Sequence, residues 1–142
     1  MKHRISVADQ TFKQQVEFCA FPVADFDHRA HIRLAYIYLV EYNTVAALNR
    51  VRRTLTALLK HAGIDPVQKY HETLTKAWIL AVRHFMENTA DAQSAEDFIA
   101  KNPVVLDSKI MMRHYSAKVL FSDLARQSFV QPDLEPIPVH DA

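Results

Sequence analysis

ADFDHRAHIRLAYIYLVEY (Ala24–Tyr42) is the stretch on which the reading of this chain turns. Asp25 and Asp27 stand where capping and first-turn carboxylates favour the positive end of a helix. At about 100° per residue, Leu34, Tyr38, His31, Tyr42, Ala35, His28, Leu39 and Ile32 share one continuous sector, and Arg29 and Arg33 fall opposite. His31 lies near the middle of the apolar face and His28 about one turn away. Two imidazoles are therefore expected to point into the protein rather than into water.

Capping residues and apolar phase mark the flanking segments as well. Upstream, Asp9 is expected to cap a short helix running to about Cys19, and Phe21-Pro22 breaks the chain, because proline disfavours a helical residue before it. Downstream, Asn43 or Thr44 starts a helix with Leu48, Val51, Leu55, Leu58 and Leu59 on one side. Gly63 closes it and Pro66 forbids continuation. Arg50 and Arg53 project away from that stripe as a solvated face, while Arg52 sits at its edge, where it could turn towards a ligand.

A fourth helix is expected from about Gln68 to Asn88, with Tyr70, His71, Leu74, Thr75 and Trp78 on its buried face and Glu72 outside, near Lys76. Ser94-Ala95-Glu96-Asp97 resembles a capping box and opens a short helix that ends before Pro103. A last long helix is expected from about Ser108 to Ser128, burying Ile110, Leu120, Phe121 and Leu124, with His114 on the same side. The fold class is thus all-α: a single-domain antiparallel bundle of five to six helices over residues 1–130, followed by an extended proline-rich tail, 131–142.

Composition agrees. At 142 residues, 49% apolar and 23% charged, the chain suits one soluble domain with a single core. A net charge of +1 supplies no field to recruit nucleic acid. Cys19 is the single cysteine, so no intrachain disulfide forms. Gly63 is the single glycine, which argues against sheet turns and against phosphate-cradling loops. The start MKHRISVADQ has no apolar signal core, and no apolar run approaches the roughly 20 residues of a membrane span. A cytoplasmic location is expected.

The functional pattern is a set of histidines on apolar faces of separate helices: His28 and His31, His71, and His114. Helices that bury their stripes together bring such residues to a shared interior, where Tyr38, Tyr70, Thr75 and Trp78 could line the same space. Three or four imidazoles suit a transition metal (Zn, Fe, Cu or Ni), with His28, His31, His71 and His114 as the candidate ligands. No His-Glu-x-x-His follows, because position 75 is threonine, and the paired Glu-x-x-His motifs of di-iron bundles are missing. Acid–base work without metal is the second option: His28 or His71 as base, with Tyr38 or Tyr70 as donor.

The expected function is a small-molecule-binding protein, with catalysis an open option. The competing expectation is a non-catalytic interaction protein whose inward histidines are structural. In that version the tail could pack in trans on a second copy, making a homodimer.

The strings DFDHRAHIRLAYIYL (Asp25–Leu39) and KYHETLTKAW (Lys69–Trp78), with Asn102-Pro103 and the HYS of His114–Ser116, resemble a bacterial family of small all-helical proteins. The resemblance implies a free-standing bacterial cytoplasmic protein and carries no activity, cofactor or substrate with it.

Overall fold

A computed structural model describes residues 2–140. In order these form β1 (Lys2–His3), α1 (Val7–Glu17), α2 (His28–Glu41), α3 (Thr44–His61), α4 (Pro66–Lys69), α5 (Glu72–Glu87), β2 (Asp91–Ala92), α6 (Ala95–Lys101), α7 (Ala117–Leu120) and α8 (Asp123–Gln127). Three 3-10 segments, Val23–Asp25, Pro103–Leu106 and Ser108–Arg113, join them. The only pairing of strands among the described residues is the two-residue parallel bridge between β1 and β2, so the fold is all-α in class.

The long helices α2, α3 and α5 pack on one another, with α1 against α2 and α3, α6 against α2, and α8 against α5. α2 is the centre of this arrangement. Ala30, Ile32 and the whole run from Leu34 to Leu39 are buried, so apolar phase marks only part of a helix enclosed on nearly every side. Arg33, expected on the wet face, instead reaches the buried carboxylate of Asp9 at 3.0 Å and lies over the Phe12 ring. An ion pair to a neighbouring helix, which no single-helix projection shows, draws it inward.

Local chemistry sets the helix ends. Asp27 accepts the Ala30 N–H and Asn43 the Ala46 N–H at the starts of α2 and α3. α3 ends in a Schellman motif: Gly63, at φ +77°, donates to Lys60, and Ile64 donates to Leu59. Asp9 is not the cap of α1. Ser6 is, and Asp9 sits three residues on, closing a reciprocal capping box.

Two expected helices are broken. The stretch from Gln68 to Asn88 divides at Tyr70-His71, because the His71 ring itself caps α5 by accepting the Leu74 N–H. The stretch from Ser108 to Ser128 becomes a 3-10 segment and the short α7 and α8. Ser116 and Ser122 accept the N–H groups of Val119 and Ala125 and start a new turn each time. In consequence Phe121 and Leu124, expected inside, are 62% and 65% exposed.

The tail folds back on its own chain. Leu134 and Glu135 donate to the carbonyls of His114 and Arg113, Ile137 is buried, and the rings of His140 and His84 meet at 2.9 Å between nitrogens. No helix among the described residues is long and apolar enough to cross a membrane.

Candidate functional site

A cavity of about 690 Å³ lies between the start of α2, one face of α3, the start of α5 and the chain from Ser108 to Phe121. Its walls are mainly apolar: Leu55 and Leu58 from α3, Leu74 and Trp78 from α5, and Met111 and Leu120 from the C-terminal part. The Schellman turn at Gly63 adds Ile64. Phe121, Met112 and Lys69 are exposed where they meet the cavity and so mark its mouth.

Of the sequence-derived candidates, His28, His31, Tyr70, His71, Thr75 and Trp78 line this one cavity. Tyr38 and His114 do not. The Tyr38 hydroxyl donates to Glu17 at 2.6 Å and meets Thr54 at 3.0 Å on another side of α2. His114 donates Nδ1–H to the carbonyl of Glu135 at 2.7 Å and anchors the tail.

The imidazoles in the cavity differ in what they have to offer. His71 has both nitrogens engaged: Nδ1 accepts from Leu74 N–H, and Nε2–H donates to the Leu120 carbonyl at 2.7 Å. Burial also pushes its pKa below the usual histidine value, only partly offset by the Leu120 carbonyl. It is a neutral structural bracket between α5 and α7. His28 donates Nε2–H to the carbonyl of Val105 at 2.9 Å, and its ring stands edge-on to Trp78 with centroids 4.7 Å apart. Its Nδ1 has no partner among the described residues.

His31 is the exception. No hydrogen bond reaches either of its nitrogens among the described residues, and neither is sealed in, since Arg83 Nε is the one fully enclosed side-chain nitrogen or oxygen left without a partner there. Both keep some accessible surface, and the residue is part of the cavity lining. Desolvation, and then the charge of His28, lower its pKa to about 4, so the ring is neutral at physiological pH.

Tyr70, one of the lining residues, belongs to a polar network that includes Glu72, a residue expected outside. Glu72 accepts two hydrogen bonds from Arg52, at 2.9 and 2.5 Å, and one from the Tyr70 hydroxyl at 2.7 Å. Burial opposes ionisation of Glu72, but Arg52 and Tyr70 more than offset it and hold the carboxyl below its usual range. Burial and the Glu72 bond push the Tyr70 phenol up, so it stays a donor. Arg52 is thus committed to Glu72, not to a ligand. The break before α5 is what turns Glu72 towards α3, and only a recognised histidine cap would have revealed it.

The four-imidazole metal set is not assembled. Among the described residues no group of three or more His, Cys, Asp or Glu side chains is placed to hold a metal ion. The reason is specific: His71 has no free lone pair and His114 stands elsewhere.

No protein-family model matches the chain, and neither a curated protein nor a solved structure is significantly similar to it.

Proposed function

We propose that this chain binds a small, mainly apolar organic molecule in the cavity under α2, with His31 as its polar contact. The observation that carries this reading is that His31, whose ring nitrogens have no partner among the described residues, lines an apolar space of small-molecule size. A desolvated polar group without partners costs about 1–3 kcal/mol, and a ligand that completes its hydrogen bonds recovers that cost. Binding is favoured over proton transfer, because a base held at about 4 is poorly matched to neutral pH.

The competing reading, a non-catalytic interaction protein with structural histidines, draws on His71 and His114, whose bonds to backbone carbonyls brace the fold.

Trp78 is the single tryptophan and stands in the cavity wall, so its emission reports occupancy directly. Titration with propylbenzene should change it saturably, and Leu55→Phe, which narrows the space, should weaken the response. Emission that stays flat, or a response indifferent to Leu55→Phe, removes the proposal.

A further inference from the structure

We infer that the ligand is an uncharged, hydroxyl-bearing apolar molecule whose O–H sits among the ring nitrogens of His28, His31 and Trp78. The inference rests on the cavity being a ligand pocket and concerns which chemistry it selects.

Three side chains of the same wall supply the polar contacts. In its neutral form His28 gives its one N–H to the Val105 carbonyl, and the nitrogen left over, Nδ1, is then a lone pair that accepts only. His31, neutral, presents one N–H and one lone pair, neither of them used by the protein. The indole N–H of Trp78 has no partner among the described residues and is not among the fully enclosed atoms, although the residue is only 3% exposed. The wall therefore offers two donors and two acceptors.

A hydroxyl meets three of these four groups, giving its one proton to a ring lone pair and accepting from the two N–H groups. A carboxylate matches half of it: its oxygens accept from His31 and Trp78 but face the His28 lone pair with nothing to donate. Nor is there an enclosed cation to hold an anion there. Lys69, the one Lys or Arg on the cavity wall among the described residues, is exposed at the mouth, where a charge pair contributes little. A pure hydrocarbon fills the space beside Leu55, Leu58 and Met111 and leaves all the ring nitrogens unsatisfied.

Calorimetric titration of the wild-type chain with 4-propylphenol, propylbenzene and 4-propylbenzoate, three probes with one body and different heads, tests this. The phenol should bind on the order of ten- to a hundred-fold more tightly than either of the others. His31→Leu should bring the phenol to the affinity of the hydrocarbon while the hydrocarbon keeps its own. If propylbenzene binds but the phenol gains nothing, or the benzoate equals the phenol, or His31→Leu keeps the preference, the inference falls and the pocket stands. If none of the three binds, the pocket reading falls and takes the inference with it.

Discussion

His28 gives its Nε2–H to the backbone carbonyl of Val105 across 2.9 Å, tying the first turn of α2 to the 3-10 segment that runs from Pro103 to Leu106. This bond both braces the cavity and decides which His28 nitrogen is left to accept. Imidazole nitrogen–proton NMR should show His28 and His71 as Nε2–H tautomers at pH 7. His28→Ala should cost about 1–3 kcal/mol in urea denaturation, because it orphans the carbonyl of a fully buried residue. An Nδ1–H tautomer for His28 would contradict the assignment.

His31 makes stability depend on pH in a calculable direction. Its folded value of about 4 lies below its ordinary 6.5, so the unfolded chain takes up the proton first as pH falls. The contribution is complete above pH about 6.5 and is lost progressively towards pH 4. Between pH 7 and pH 4.5 the loss is about 2–3 kcal/mol. His31→Leu, which cannot titrate, should show a correspondingly smaller fall in unfolding free energy over that interval. Equal falls in the two chains would refute this.

Asp9 is 1% exposed and accepts from Ser6 N–H, Ala95 N–H and Arg33, joining α1, α2 and α6 at one carboxylate. Burial opposes its charge, yet these donors together hold its pKa below the usual range. Asp9→Ala should therefore destabilise by about 2–4 kcal/mol, several times the effect of Glu96→Ala, whose pairing with Arg29 is exposed. Thermal denaturation of both variants at pH 7 checks the ratio.

His71→Asn and His71→Ala separate the two jobs of the His71 ring. Asparagine can still cap α5, whereas alanine loses the cap and both variants lose the Leu120 bond. The alanine variant should be less stable than the asparagine variant by about 1 kcal/mol. Identical stabilities would mean that the cap contributes nothing.

Much of this was legible in the sequence, for reasons that also explain the rest. α3 was bounded by Asn43 and Gly63, residues whose capping chemistry is local. Helical phase also placed His28, His31, His71 and Trp78 inward, and they meet at one cavity. Phase cannot say which neighbour an inward residue meets, and on a helix enclosed like α2 that is decisive: Tyr38 shares the sector of His31 yet reaches Glu17. The C-terminal third departs from the single expected helix because the Ser116 and Ser122 hydroxyls compete for the backbone and cut it twice, which apolar periodicity does not register. The role of His71 was hidden because histidine is an uncommon cap.

The most direct test follows the His31 ring itself. Imidazole NMR during titration with 4-propylphenol should show saturable shifts at His31 and His28, while His114, which stands outside the cavity, holds its position. Signals from His31 that stay fixed, or that move no more than those of His114, would contradict the account.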